Sequence, residues 1–432
     1  MGWRVNMLDV KLLRENPDII RTDLKKRGML DKLSLVDDAI EADSGWRTAK
    51  TQAEALRHEL NLANQSIAKL AREKRPIAAE QKKLGEISRR LDEFTEVQET
   101  RLHTLEGIMM TLPNILHESV PVGKDDSENV TVRTWGKSHK FDFEPKDHIE
   151  VLADLGMVDM ERAAKISGAR FFFLKGDAVK LEHAIMRYAI DLMSAKGFVP
   201  VEPPFMMRRE PYSGVTDLND FGPVIYKVEG EDLYMIATSE HPLIAMHMDE
   251  IVSGGDLPLR YCGFSPCFRV EAGAHGKDTK GIFRTHQFYK VEQIAFARPE
   301  ESWPLHEQLI ANAEEIFQNL GLHYRVVNVC TGDIGSVAAK KYDLEAWMPV
   351  QGKFREMVSC SNCTDYQARR LKIRFRDKQS EATRMVHTLN STAVTTRVLV
   401  AIAENFQQKD GTVRIPRALA PYMGGIDALK RR

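Results

Sequence analysis

The sequence predicts an α+β protein in which a long antiparallel helical hairpin precedes a domain built on an antiparallel β-sheet flanked by helices. Apolar residues recur at alternating steps of three and four between positions 46 and 70, which is the spacing of a coiled-coil seam. Later in the chain, the alternating segments 261–268 and 286–296 are separated by a Gly-rich stretch. This pattern is typical of two antiparallel strands joined by a long loop.

Length and composition exclude several classes of protein. A chain of 432 residues, 43% of them hydrophobic, is long enough for a large core and a second domain. No apolar run approaches the roughly 20 residues that span a membrane, and the N-terminal segment lacks the apolar core of a signal peptide. Five cysteines, an odd number, argue against a disulfide framework, so we expect a cytoplasmic protein without a membrane partner.

The N-terminal region predicts a helical domain over residues 1–112. Residues 8–27 form a short amphipathic helical region that stops at Gly28. A long helix then carries the seam and cannot continue undisturbed through Pro76. A second seam runs from Leu84 to Leu112, so the two long helices are expected to pair as an antiparallel hairpin.

The free end of the hairpin is basic. Residues 69–90 contain eight Lys or Arg and three Glu, a net charge of +5 on a chain whose formal net charge is −1. A solvated coiled-coil face explains such a run, but a basic tip on a nearly neutral protein fits a phosphate backbone better. The candidate nucleic-acid contacts are Lys74, Arg75, Lys82 and Lys83.

The remainder of the chain predicts a linker over residues 113–145, rich in Pro, Gly and Asp, and a catalytic domain over residues 146–432. An amphipathic helix is expected at 181–196, a short strand at 233–237 and an apolar helix from 242 to about 252. The polar residues before that last helix also fit an ordinary N-cap. A helix at 303–319 and a strand at 324–330 follow.

The segment 268–292 carries residues that suit a nucleotide. Arg269 and Glu271 share parity on the incoming strand, and Phe288, Lys290 and Glu292 share parity on the outgoing strand. An arginine can grip a phosphate through two N–H groups, and a carboxylate can accept from an exocyclic amine. A surface hairpin with chance charges would explain an isolated Arg-x-Glu, but the whole string predicts a nucleotide pocket.

Two later segments add candidates to this pocket. Glu356 and Ser359 lie on a predicted strand within 354–365, and their hard oxygen atoms suit Mg²⁺ that bridges nucleotide phosphates. Arg397 precedes the apolar helix 398–406, where a buried cation is costly unless a carboxylate or phosphate pairs with it. Cys360 and Cys363 form a lone CxxC without a second pair, which favours structural cysteines over a zinc site.

The string FRVEAGAHGKDTKGIFRTHQFYKVEQ, residues 268–293, resembles the second signature motif of class II aminoacyl-tRNA synthetases in its seryl-tRNA synthetase form. The resemblance extends from MLDVKLLRENPDIIRTDLKKRG at 7–28 to PYMGG at 421–425. It implies a serine–tRNA ligase that uses ATP and Mg²⁺ to convert L-serine to seryl-adenylate. The acceptor would be tRNA(Ser), with tRNA(Sec) as a further candidate. It also implies a homodimer with helix 181–196 and residues Pro203 and Pro204 at its interface, and a hairpin that holds tRNA.

The resemblance also assigns residues. Arg269, Glu271 and Arg397 would be catalytic, with Arg269 on the α-phosphate and Arg397 on the γ-phosphate of ATP. Glu271 would read the adenine amine and Phe288 would stack on the base. The serine-binding residues would be Thr238, Ser239, Glu240, Arg269, Glu292, Asn390 and Thr392. The ATP-binding residues would be Arg269, Val270, Glu271, Thr285, His286, Gln287, Phe288, Glu356, Met357, Val358, Ser359 and Arg397. The metal ligands would be Glu356 and Ser359.

The third motif, residues 387–397, departs from the pattern. Forms rich in Leu-Asn-Ser-Thr usually have one residue more than the eight from Asn390 to Arg397. Either the loop is tighter, or the register of Asn390 and Thr392 against serine has shifted. Two alternatives therefore stay open: a paralogue that passes activated serine to another acceptor, and a non-catalytic tRNA-binding paralogue. The intact hairpin argues against the first, and the intact site residues argue against the second.

Overall fold

The computed structural model describes residues 9–271 and 281–431. The chain divides into two compact units, Met1–Pro113 and Asn114–Arg432. Within the described ranges, no helix has the length and apolar composition needed to cross a membrane. The α-helices are α1 (Val10–Glu15), α2 (Pro17–Lys26), α3 (Leu33–Arg72), α4 (Ala78–Thr111), α5 (His148–Asp154), α6 (Met160–Ser167), α7 (Asp177–Ala195), α8 (Arg209–Val215), α9 (Leu218–Phe221), α10 (Glu240–Ala245), α11 (Ser302–Leu320), α12 (Tyr366–Leu371) and α13 (Arg397–Asn405).

The strands fall into one large sheet and several small ones. They are β1 (Val130–Trp135), β2 (Val158–Asp159), β3 (Phe173–Leu174), β4 (Val199–Val201), β5 (Met206–Met207), β6 (Tyr234–Met235), β7 (Ile251–Ser253), β8 (Leu259–Phe268), β9 (Gln287–Ala297), β10 (Tyr324–Asn328), β11 (Lys340–Met348), β12 (Lys353–Asn362), β13 (Arg374–Arg376), β14 (Arg384–Met385), β15 (His387–Thr395), β16 (Val413–Arg414) and β17 (Ala428–Leu429). The large sheet has eight strands in the order β1-β10-β11-β12-β15-β9-β8-β4.

The first unit confirms the predicted helical hairpin. Helix α3 has 40 residues and is therefore about 60 Å long at 1.5 Å per residue. It ends at Arg72, and α4 begins at Ala78, so Pro76 lies in the turn as expected. The predicted seam is buried between the two helices around Leu56, Ala63 and Ile87. The residues packed against this cluster are Leu60, Leu84, Leu91 and Phe94.

The amphipathic region predicted at 8–27 consists of two helices. Pro17 occupies the first turn of α2, where its missing N–H is not needed, and Asn16 separates the helices. Near their junction with α3, the buried carboxylate of Asp43 accepts from Arg14 at 2.6 Å and from Arg47 at 3.0 Å. The charge-assisted bond from Arg14 joins α1 to α3, and the bond from Arg47 lies within α3.

The large sheet of the second unit positions the candidate site. Strands β8 and β9 pair antiparallel and confirm the predicted segments 261–268 and 286–296. Within the predicted loop between them, residues 272–280 lie outside the described residues. The main hydrophobic core lies between one sheet face and α7, α11 and α13. A second cluster lies on the other face, under α8, α10 and α12.

Two ranges differ from the sequence prediction. The range 113–145 contains β1, which pairs with β10 at the edge of the large sheet. The Pro, Gly and Asp content of the whole range favoured a linker, and the six residues of β1 are almost all exposed. The helix expected from 242 to about 252 ends at Ala245, since Asp249 has a φ of 61° that no α-helix tolerates. Ile251–Ser253 is instead a strand parallel to β13.

Candidate active site

Two adjoining cavities lie on the sheet face covered by α8 and α10. The larger has a volume of about 310 Å³ and the smaller of about 80 Å³. The residues that line both are Arg269, Lys290, Ser359 and Thr392. Each of these four side chains can therefore contact a ligand in either cavity, and ligands in the two cavities would be neighbours.

The larger cavity gathers most of the predicted serine-binding residues. Those that line it are Thr238, Glu240, Arg269, Glu292, Asn390 and Thr392. The sheet register explains part of this arrangement, because Thr392 on β15 is directly opposite Glu292 on β9. Ser239 is different: it is fully buried, and its hydroxyl donates to the Gly263 carbonyl at 3.3 Å. It supports the cavity wall from behind.

Two buried carboxylates give the larger cavity its electrostatic character. Burial raises the pKa of Glu240 to about 7, and the neighbouring Glu292 contributes to this rise. Burial also raises the pKa of Glu292, although Lys290 lies 2.6 Å from its carboxylate and opposes the shift. A cationic ligand would relieve this crowding of negative charge. Burial lowers the pKa of His241 to about 3, so this imidazole is neutral and adds no cation.

The smaller cavity collects cationic groups. The predicted ATP-binding residues that line it are Arg269, Glu271, Thr285, Phe288, Glu356, Met357, Ser359 and Arg397. The guanidinium of Arg269 lies 5.2 Å from the ring centre of Phe288. Arg397 donates from Nε to the Phe283 carbonyl at 3.1 Å. Burial lowers the pKa of Arg397; Glu356 opposes this shift, and the neighbouring arginines add to it.

Glu271 reaches the smaller cavity by a route that differs from the prediction. Strand β8 ends at Phe268, and Glu271 has a φ of 54°, so the argument from strand parity does not apply to it. Its carboxylate accepts from Nε of Arg284 at 2.5 Å. Arg284 was absent from the predicted set, although it follows Phe283 just as Arg269 follows Phe268.

Four predicted ATP-binding residues are not among those that line the two cavities. Val358 is buried in the main core, and the backbone N–H of Val270 donates to the Val224 carbonyl at 2.9 Å. Nδ1 of His286 lies 2.8 Å from the Arg269 carbonyl. Gln287 is exposed at the start of β9. Of these four, His286 holds the backbone of Arg269, and Val270 is its neighbour in the chain.

The eight residues from Asn390 to Arg397 include a β-bulge. The pairing of β15 with β9 shifts between Thr392 and Val394, which places an extra residue on β15. With this bulge, Asn390 and Thr392 line the larger cavity and Arg397 lines the smaller one. Asn390 also donates to Sγ of Cys363 at 3.7 Å, so that buried thiol belongs to the cavity wall.

Glu356 and Ser359 fit a Mg²⁺ ion that arrives with a nucleotide. Both line the smaller cavity and offer hard oxygen donors. Across residues 9–271 and 281–431, no group of three or more His, Cys, Asp or Glu residues could hold a metal ion. Two protein oxygens match the usual way in which Mg²⁺ is held, since substrate phosphates and water complete its coordination.

In the first unit, the predicted nucleic-acid contacts surround the hairpin turn. Lys74, Arg75, Lys82 and Lys83 are all exposed. Lys74 has a φ of 53° in the turn that separates α3 from α4. The four cations are thus free of burial and accessible to a polyanion.

Comparisons with known proteins agree with this geometry. Residues 226–406 match the tRNA synthetase class II core domain (G, H, P, S and T), and residues 7–116 match the seryl-tRNA synthetase N-terminal domain. The serine–tRNA ligase of Thermococcus sibiricus is 53% identical over 97% of this chain and 96% of its own length.

Two solved structures resemble the whole chain. The seryl-tRNA synthetase from Pyrococcus horikoshii complexed with ATP has a TM-score of 0.94 and 51% identity, covering 99% of this chain and 100% of that one. The cytoplasmic serine–tRNA ligase from Naegleria fowleri in complex with AMP has a TM-score of 0.88 and 35% identity, covering 99% of each chain.

The mainly antiparallel sheet, in which only β4 pairs parallel to its neighbour among the described strands, and its core-domain match define a class II aminoacyl-tRNA synthetase. The N-terminal domain and the full-length similarity narrow the class further. The chain belongs to the seryl-tRNA synthetase family.

Proposed function

We propose that the protein activates L-serine with ATP to form seryl-adenylate and pyrophosphate, and then transfers the seryl group to the 3′ end of tRNA(Ser). The observation that carries this proposal is the joining of two unlike cavities at Arg269. One cavity presents carboxylates and the other presents guanidinium groups. The names of the relatives, and the ATP and AMP bound to the two similar structures, support the same reaction.

The larger cavity is proposed to bind serine. Glu240 and Glu292 would receive the ammonium group, because each gains a counterion in a site where burial raises its pKa. Asn390 and Thr392 would contact the rest of the amino acid. A site that hydrogen-bonds the serine hydroxyl rejects alanine strongly, since alanine would leave a buried polar group unpaired. Threonine is excluded only by crowding at one methyl group, which is a weaker filter.

The smaller cavity is proposed to bind ATP. Arg269 would hold the α-phosphate at the boundary between the cavities, and Arg397 the γ-phosphate. Glu271 would accept from the adenine amine, and Phe288 would stack on the base in place of the Arg269 guanidinium that now lies over its ring. Mg²⁺ held by Glu356 and Ser359 would neutralise charge on the phosphates.

Neither chemical step needs a nucleophile from the protein. The serine carboxylate attacks the α-phosphorus and pyrophosphate leaves; a ribose hydroxyl of the tRNA then attacks the carboxyl carbon and AMP leaves. Positioning and electrostatic stabilisation supply the rate. The basic tip of the hairpin is proposed to hold tRNA. Helix α7, with Pro203 and Pro204, is proposed to form the interface of a homodimer.

The proposal is tested by ATP–pyrophosphate exchange with each of the twenty amino acids, followed by aminoacylation of tRNA(Ser) and tRNA(Sec). Serine should drive exchange best, and tRNA(Ser) should be charged. Exchange without charging of either tRNA would favour the paralogue with another acceptor. An absence of exchange with every amino acid would favour the non-catalytic tRNA-binding paralogue.

A further inference from the structure

A lysine that the proposed activation step does not use lies in the wall of the larger cavity. Lys341 on β11 lines this cavity, and its side chain is 18% exposed. The sheet register gives its position: Lys341 is opposite Ser361 on β12, and Ser361 is opposite Asn390 on β15. Two strand spacings, about 10 Å, therefore separate its backbone from that of Asn390. Strands β12 and β15 lie between Lys341 on β11 and Glu292 on β9.

Asp343 forms an ion pair with Lys341 but is not close enough to accept a hydrogen bond from it. The Lys341 ammonium lies 3.6 Å from the Asp343 carboxylate, which is too long for a hydrogen bond. In the described part of the chain, Asp343 is the one carboxylate within ion-pair distance of this ammonium. Burial lowers the pKa of Lys341, but Asp343 and more distant carboxylates together outweigh this effect, and the net shift is upward. The ammonium is therefore charged, and its N–H donors can serve a ligand in the cavity.

The arrangement of Asp343 is costly unless it positions Lys341. Asp343 is 5% exposed, and its Oδ1 finds no hydrogen-bond partner among the described residues. Burial raises the pKa of Asp343, although Lys341 opposes the shift. A buried carboxyl group with an unmet oxygen destabilises the fold. Asp343 is opposite Ser359, one of the residues shared by the two cavities, so the Lys341–Asp343 pair borders the place where adenylate would form.

Once serine and ATP have been assigned to other residues, one reactant remains that Lys341 can bind. In the proposed function, the serine ammonium is met by Glu240 and Glu292, and ATP occupies the smaller cavity. Lys341 lines only the larger cavity, whereas Arg397, which would hold the γ-phosphate, lines only the smaller one. The remaining reactant is the RNA acceptor, which carries one negative charge per phosphate. A lysine binds such a phosphate as a point charge.

We propose that Lys341, positioned by Asp343, binds the phosphate of the 3′-terminal nucleotide of the RNA acceptor during seryl transfer. This inference rests on the proposed function. Lys341 takes no part in the bond changes: the ribose oxygen forms the ester with the serine carboxyl carbon, the bond from that carbon to the AMP oxygen breaks, and the hydroxyl proton is released with AMP. The interaction with the phosphate orients the terminal ribose.

The first experiment separates the two half-reactions in Lys341→Gln, Lys341→Arg and a control. Lys340→Gln is a matched control, because Lys340 immediately precedes Lys341 on β11 and is similarly buried, at 12% exposed. Its ammonium lies over the ring of Tyr342. Lys341→Gln should keep serine-dependent exchange within about twofold of wild type and slow single-turnover transfer from preformed seryl-adenylate by about tenfold or more. Lys341→Arg should recover most of the transfer rate, and Lys340→Gln should transfer normally.

The second experiment removes the partner charge. A tRNA with an uncharged methylphosphonate at its last internucleotide linkage should slow transfer by wild-type protein as much as Lys341→Gln does. The two changes together should cost no more than either alone, because they remove the same interaction. Additive losses, an equal loss of exchange and transfer, or full transfer by Lys341→Gln would each overturn the inference. Absence of serine-dependent exchange in the wild type would instead defeat the proposed function.

Discussion

The side chain of Arg397 contacts both the backbone carbonyl and the side-chain carboxylate of Glu356. Nη1 of Arg397 donates to the Glu356 carbonyl at 2.9 Å and lies 3.5 Å from the carboxylate Oε2. Burial alone raises the pKa of Glu356, but the cations Arg397, Lys341 and Arg269 together outweigh burial. The pKa of Glu356 is therefore below its ordinary value. The candidate γ-phosphate ligand thus keeps the candidate metal ligand ionised before nucleotide binds.

Arg397→Ala should reduce serine-dependent exchange by about 100-fold or more, because the charge of the departing pyrophosphate loses its preorganised partner. Arg397→Lys should recover only part of the rate, since an ammonium cannot reach the Phe283 and Glu356 carbonyls together. The measurement is steady-state exchange with circular dichroism to verify the fold. The control is Arg417→Ala, an exposed arginine in the same unit. Wild-type exchange in folded Arg397→Ala would remove this residue from the site.

Glu356→Gln should lower the affinity of the site for Mg²⁺. The amide keeps the shape of the side chain but loses the charge that binds Mg²⁺, so half-maximal exchange should require about tenfold more Mg²⁺. Saturating Mg²⁺ should restore much of the rate in Glu356→Gln and little in Arg397→Ala. Glu229→Gln, an exposed glutamate of the same unit, should titrate like the wild type. An unchanged Mg²⁺ titration in Glu356→Gln would exclude it as a ligand.

Glu240 predicts a pH dependence of serine use. Its pKa is raised to about 7 by burial and by Glu292, so below that pH it takes up a proton and loses its attraction for the serine ammonium. The value of kcat/KM for serine in exchange should therefore fall about tenfold per pH unit below about pH 7. Glu240→Gln should have a low and flat profile over the same range. Glu210→Gln, with an exposed side chain, should keep the wild-type inflection. A wild-type profile that stays flat from about pH 5 to 8 contradicts this role.

Local patterns predicted the elements that depend on short-range physics. The heptad seam and Pro76 predicted the hairpin, because helix pairing repeats every few residues. Side-chain alternation predicted that Phe288, Lys290 and Glu292 share one face, and all three line the cavities. These predictions required no knowledge of which distant strands become neighbours.

Long-range features could not be predicted in the same way. Parity failed at Glu271, because the strand ended three residues earlier and the backbone turned. Lys341 joins the cavity only because β11 pairs with β12 in one register, and no local pattern specifies that register. The edge strand β1 was hidden for a related reason, since its partner β10 lies almost 200 residues later in the chain.

The basic tip of the hairpin predicts an effect on RNA binding that is separate from catalysis. Lys74→Glu with Arg75→Glu should weaken tRNA(Ser) binding and make its salt dependence shallower, because a protein that neutralises fewer phosphates releases fewer counterions. With two cations removed, the slope of log K against log salt should fall by about 2. Serine-dependent exchange should be unchanged, since it requires no tRNA. The double variant Lys82→Glu with Lys83→Glu should show the same weaker binding, shallower salt dependence and unchanged exchange.

A matched pair elsewhere in the first unit distinguishes a local interaction from a general charge effect. Lys25→Glu with Lys26→Glu makes the same change in net charge on α2, outside the turn between α3 and α4. If the tip binds the phosphate backbone, this control should leave the salt slope near the wild-type value. Equal weakening by both pairs would mean that the net charge of the unit matters and that the tip has no special role. A parallel loss of exchange in the tip variants would mean that the hairpin supports the catalytic fold.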